Sequence, residues 1–247
     1  MAYTYLITGA TSDVGTALIA RLLDGAPSDT LVLAQGCGDV EKLAPLCQKY
    51  PGQVRPFDVD LSDVYKVDAF VRLLEQTAPT PTHFVHLPAL PVVNTRFKNF
   101  DEERFARDME IQVHSAVKIC RVFVPKMAKA GFGRVLFIQT SYTIGCPPKN
   151  TAAYVMAKSA IGGLVKSLAV EYAHQGVTVN CVAPSMMETN FLKDTPDLIV
   201  QAAAADNPMG RNATPADVVP AMAFLLSEEA RFITGVTLPV TGGSAIV

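Results

Sequence analysis

The chain is predicted to fold as a doubly wound α/β structure, a mainly parallel sheet of about seven strands with helices on both faces. Three observations carry this. Short runs rich in Val, Ile, Leu and Phe recur along the chain, segments with helical spacing lie between them, and the two kinds alternate throughout. A parallel sheet needs that alternation, because each right-handed crossover lays a helix over a strand pair. The strand candidates are 3–8, 30–34, 53–57, 83–87, 134–140, 178–182 and 237–240. The helix candidates are 14–23, 40–49, 63–77, 102–130, 153–173 and 215–226. Ligands of such sheets bind beyond the carboxyl ends of the strands, so chemistry is expected just after Thr8, Ala34, Leu87, Thr140 and Val182.

Composition narrows the function. Of 247 residues, 49% are hydrophobic and 18% charged, enough apolar material for one core spanning 1–247 as a single domain. Twenty-one basic against 23 acidic side chains leave a formal charge of −2, without the basic footprint of a nucleic-acid or anionic-membrane binder. The opening M-A-Y-T-Y-L-I-T-G-A runs straight into a strand pattern, so no signal peptide is expected, and apolar runs such as 222–226 are too short to span a bilayer. Cys37, Cys47, Cys120, Cys146 and Cys181 are odd in number and never form C-x-x-C, which suggests neither disulfides nor zinc and points to a reducing cytoplasm. His83 and His86 are three apart on a strand and face opposite ways, so no metal is expected there.

The first strand leads into T-G-A-T-S-D-V-G (8–15) and a helix, a glycine-bearing turn whose amides suit a phosphate. This resembles the T-G-x-x-x-G-x-G turn of the short-chain dehydrogenase/reductase family, which implies a Rossmann-type sheet and dinucleotide contacts at Gly9, Thr11, Ser12, Asp13, Val14 and Gly15. Asp13 stands where the family has its middle glycine. Its carboxylate would repel a pyrophosphate unless it caps the helix and turns away. At the end of the second strand, NAD-preferring members carry an Asp and NADP-preferring ones basic residues. Gln35 and Gly36 occupy that place here, and Ser12 stands where a basic residue often sits; the absence of an acid leans the expectation to NADP over NAD. Asp60, beside Leu61 in D-L-S-D, resembles the adenine-pocket aspartate, with a cap of the next helix, shared with Ser62, as the plain alternative. Where the family shows N-N-A-G, this chain has His86, Leu87, Pro88 and Ala89; backbone contacts at Pro88 and Ala89 are expected without the asparagine bonds.

Tyr154-Val-Met-Ala-Lys158, with Ser141 thirteen positions before the tyrosine, resembles the family's catalytic serine, tyrosine and lysine. Positions four apart share a helix face, so phenol and ammonium can meet in one site, although Y-x-x-x-K alone is also an ordinary surface pair. A free phenol has a pKa of ~10, and Lys158 is expected to lower it. Tyr154 would then exchange a proton with the substrate oxygen, Ser141 would hydrogen-bond that oxygen, and by resemblance Lys158 would bind the nicotinamide ribose. Gln112 takes the place of the family's water-holding asparagine.

The stretch 179–189 resembles the family's nicotinamide segment, with Pro184, the Met187 backbone and the Thr189 hydroxyl as contacts and Ser185 in place of a glycine. Residues 186–210 are expected to form a mobile substrate loop, with Phe191, Leu192, Pro147 and Pro148 making an apolar mouth. The tail 230–243 resembles the family's last strand.

The resemblance implies an NAD(P)-dependent oxidoreductase acting on a small carbonyl or alcohol, such as a 3-oxoacyl thioester, without metal. It also implies a homo-oligomer, tetramer or dimer, packed through the helices near 101–130 and 152–174. An inactive dinucleotide-binding sensor or scaffold is the alternative, motivated by Asp13, 86–89, Gln112 and Ser185.

Overall fold

Seven parallel strands form one sheet in the computed structural model, which describes residues 3–246. They are β1 (Thr4–Thr8), β2 (Leu31–Gly36), β3 (Val54–Asp58), β4 (His83–His86), β5 (Gly133–Ile138), β6 (Val177–Pro184) and β7 (Thr237–Val240). Their order is β3-β2-β1-β4-β5-β6-β7. The winding reverses between β1 and β4, and the crevice beyond their carboxyl ends is where such a sheet takes a ligand.

The strands are apolar on both sides because both faces are covered. On one face, Ile7, Val32, Ala34, Val85, Leu136 and Val182 pack with helices α1 (Asp13–Leu23) and α8 (Pro215–Leu226). On the other, Leu6, Leu33, Phe84, Val135, Phe137 and Val179 pack with α3 (Val64–Thr77), α5 (Ser115–Lys129) and α6 (Ala152–Tyr172). His83 and His86 do face opposite ways. His83 Nε2 is 3.2 Å from the Leu226 carbonyl on the α8 side, and His86 Nδ1 is hydrogen-bonded to Thr8 Oγ1 at 2.7 Å, with its ring near the Ile111 and Gln112 backbone. Burial pushes both imidazoles down to about 3, so both are neutral.

Several local expectations need correction. Segment 40–49 is a 3-10 turn (Val40–Leu43) followed by α2 (Ala44–Lys49), with a proline in the first turn of α2, where its missing N–H costs nothing. Segment 102–130 is helical over 102–129, as expected, but not regular: α4 (Glu102–Met109) passes through a π turn (Glu110–His114) into α5. Residues 186–210 are not all loop, since the alanine-rich run after Pro196 forms α7 (Asp197–Asp206). Ser12, not Asp13, caps α1, its hydroxyl accepting from the Gly15 amide at 3.1 Å. Neither Asp60 nor Ser62 caps α3; Asp63 does, accepting from Tyr65 and Lys66. Finally, α6 with its 3-10 extension (Ala152–Gln175) is long and apolar enough to cross a membrane, although Lys158, Lys166 and Glu171 break its apolar runs. Its Ala157, Lys158, Ile161, Val165 and Ala169 are buried against the sheet side of the protein.

Candidate active site

A cavity of about 530 Å³ opens at the carboxyl ends of the strands. Its wall begins at the turn after β1. Gly9 holds φ +69°, a conformation open to glycine, and a Cβ there would lie 3.1 Å from the Pro88 nitrogen, so the turn presents bare backbone. Thr11, Ser12, Asp13 and Val14 continue the wall. Gly15 does not reach it: a Cβ would meet the Ala10 and Gly9 carbonyl oxygens at 2.6 and 2.7 Å, so this glycine serves the close approach of helix and turn.

Gln35 lines the cavity but its side chain is spent within the fold. Its Nε2 donates to the carbonyls of Gly36 (2.8 Å) and Val59 (2.7 Å), and its Oε1 accepts from the Gly9 amide at 3.0 Å, bracing the turn. The cavity end beside it carries Gly36, Cys37, Asp39 and Lys42, with Lys42 Nζ donating to Asp39 Oδ2 at 2.8 Å. An acid and a base, Asp39 and Lys42, thus stand together just past the strand. Asp60 and Leu61 line the same end; Asp60 Oδ1 accepts from the Ser62 amide and hydroxyl, which hold its carboxyl below the usual range. Pro88 and Ala89 form the floor.

At the other end stand Tyr154 and Lys158, one turn apart on α6. Lys158 is buried, its Nζ donates to the Ile138 carbonyl at 3.0 Å and lies 5.8 Å from the Tyr154 ring centre. Burial pushes its ammonium down to about 8, against the opposing pull of Asp108. The expected acidification of Tyr154 is not found: burial pushes its phenol above the ordinary value, and the neighbouring Thr140 hydroxyl only partly offsets this.

Ser141 does not line the cavity. It opens a 3-10 turn (Ser141–Thr143), and the wall at that point is made by its neighbour Thr140 together with Tyr142. Gln112 is also off the wall, buried in the π turn with neither amide atom bonded to protein. Pro147 and Pro148 are exposed and away from the mouth. Pro184, Met187 and Thr189 do line the cavity, Thr189 Oγ1 donating to the Met187 carbonyl at 3.3 Å, as do Phe191 and Leu192. Thr140, Tyr142, Asp39, Lys42 and Arg107 were missed by sequence reasoning because no motif spacing marks them. Among the described residues no cluster of three or more potential metal ligands exists.

This wall suits a dinucleotide. A bare-backbone turn at a helix N-terminus lies midway along it, with polar groups suited to a nucleoside at one end and a phenol and ammonium at the other.

Known proteins agree. A family model described as enoyl-(acyl carrier protein) reductase matches residues 9–245. The chain is 28% identical over 249 residues to an acetoacetyl-CoA reductase of Allochromatium vinosum, covering 98% of each chain. A solved structure described as an NAD(P)-dependent gluconate 5-dehydrogenase of Beutenbergia cavernae, with bound NADP, is similar with a TM-score of 0.90 at 27% identity, over 99% of this chain and 97% of that one. The 3-ketoacyl-(acyl-carrier-protein) reductase of Brucella melitensis, complexed with NADH, gives 0.87 at 25% identity, over 99% and 98%.

Proposed function

Since the chain belongs to the short-chain dehydrogenase/reductase family, we propose that it is a single-domain NAD(P)-dependent oxidoreductase whose working direction at neutral pH is the reduction of a ketone. The observation that carries this is the convergence of Tyr154, Lys158 and Thr140 on one cavity beside the phosphate-type turn.

The coenzyme, NADP or NAD, would be held by Gly9, Thr11, Ser12 and Val14 at the pyrophosphate, by Asp39, Lys42, Asp60 and Leu61 at the adenosine end, and by Pro88, Ala89, Pro184, Met187 and Thr189 at the nicotinamide end. A bound nicotinamide supplies or takes the hydride. Tyr154 donates its phenolic proton to the substrate oxygen as negative charge develops there. A phenol kept protonated by burial is ready for that role and poorly prepared for the reverse. Thr140, in place of Ser141, hydrogen-bonds the same oxygen, and Lys158 holds the positive charge that stabilises the phenolate Tyr154 becomes on giving up its proton. Gln112, buried with two unsatisfied amide atoms in the π turn, is suited to hold a water behind Lys158.

Leu90, Val92, Met186, Phe191, Leu192 and Ile199 make the wall near the phenol largely apolar, which supports an uncharged ketone or 3-oxoacyl thioester as substrate. Nothing in the site favours an inactive sensor, since proton donor and ammonium share one cavity. We assign α6 to contacts between copies in a homo-oligomer: Met156, Gly163 and Val170, seven apart, form an exposed stripe, with Val170 85% exposed. All five cysteines are free, which supports a reducing compartment such as the cytoplasm.

The test is oxidation of NADPH and of NADH, followed by absorbance, across a panel of neutral ketones and 3-oxoacyl thioesters. Substrate-dependent oxidation with at least one coenzyme is expected. Tight dinucleotide binding with no turnover on any member would contradict the enzyme reading.

A further inference from the structure

Asp13 is a carboxylate set at the first residue of α1, in the cavity wall, where a dinucleotide's negative pyrophosphate is expected to lie. Among the described residues, no cation pairs with it; Lys42, on the same wall, is engaged with Asp39 at 2.8 Å. Instead both of its oxygens are taken by one residue 177 positions away. The Asn190 backbone amide donates to Oδ2 at 2.7 Å, and Asn190 Nδ2 donates to Oδ1 at 2.9 Å. Asn190 directly follows Thr189, so the bond joins the phosphate turn to the segment at the nicotinamide end.

A carboxylate gripped by two N–H donors is fixed in direction and has its charge spread onto them. We propose that Asn190 is a positioning residue for coenzyme binding: by holding Asp13 in this two-pronged bond it keeps the carboxylate turned from the pyrophosphate, so that a turn carrying an acid still accepts a dianionic ligand. The inference rests on the dinucleotide reading above. Released from Asn190, Asp13 would be free to swing toward the turn, and like charges a few ångströms apart repel strongly near a low-dielectric wall. Asn190 thus matters only while Asp13 is an acid, which separates this role from a plain tether between two segments.

The experiment measures the Kd of NADPH and NADH by nicotinamide fluorescence for the full-length wild type, Asn190→Ala, Asp13→Ala and the double variant, at low and high salt. Asn190→Ala is expected to raise Kd roughly tenfold, less at high salt because the repulsion is screened. Asp13→Ala is expected to bind as tightly as wild type or tighter, and the double variant to match Asp13→Ala. Asn190 is exposed and Asp13 half-buried, and rescue by the second substitution shows that Asn190→Ala is folded. Equal weakening in all three variants would mean a tether and overturn the proposal, as would wild-type binding by Asn190→Ala. A wild type that binds neither coenzyme would overturn the dinucleotide reading itself, whereas wild-type binding with a flat series would remove only this inference.

Discussion

Thr140 and Ser141 are adjacent hydroxyl residues with different fates. Thr140 follows β5 on the cavity wall beside Tyr154, whereas Ser141 begins the next turn and is half-buried. In steady-state reduction, Thr140→Ala should lower kcat by about 10²-fold, the cost typical of losing one donor to a developing oxyanion, with Thr140→Ser recovering most of it. Ser141→Ala should stay within about twofold of wild type. The shared face of Tyr154 and Lys158 was legible in the sequence because helical spacing fixes it; that Thr140 also reaches the wall was not, because an offset of one residue in a turn changes no pattern. The titrations were likewise hidden, since they depend on burial. Lys158 loses its proton at about 8 in the free protein, and the Tyr154 phenol keeps its own above the ordinary tyrosine range. The ammonium is therefore present below pH 8 and lost above it. kcat/KM for the reduced coenzyme, which reports the free enzyme, should be level through neutrality and fall above about pH 8. A profile that instead rises through this range would contradict the assignment of Lys158.

Among the elements, α1 with its preceding turn depends most sharply on one residue. The Cβ of an alanine at position 15 would press on backbone oxygens of Gly9 and Ala10, which cannot move aside as a flexible side chain can. Gly15→Ala should cost about 1–3 kcal/mol, the usual range for overpacking, and lower Tm by roughly 2–10 °C in a thermal melt. An unchanged melting curve would show that the turn yields. Strands and long helices were legible because their apolar periods persist over many residues and both sheet faces are covered. The π turn at Glu110–His114 was not, since α4 is mostly charged and offers no apolar stripe against which a shift of helix phase would show. Nor was α7, because its alanines were subsumed in an expected loop.

At the scale of the whole molecule, the parallel order of the sheet gathers the ends of β1 to β6 around one cavity and leaves the outer stripe of α6 exposed. Val170→Lys, which places a charge at the most exposed end of that stripe, should shift the protein to a smaller species in light scattering after size exclusion, with coenzyme binding retained. An unchanged mass would move the interface elsewhere. The gathering of elements matters for function only if it delivers a proton from Tyr154 as hydride arrives. Rapid mixing of the NADPH-loaded protein with an accepted ketone tests this for wild type and Tyr154→Phe in a single turnover. The variant should bind NADPH within about twofold of wild type yet oxidise it about 10²–10⁴ times more slowly, the span expected for loss of a general acid. Oxidation by Tyr154→Phe at a rate close to that of wild type would contradict the account.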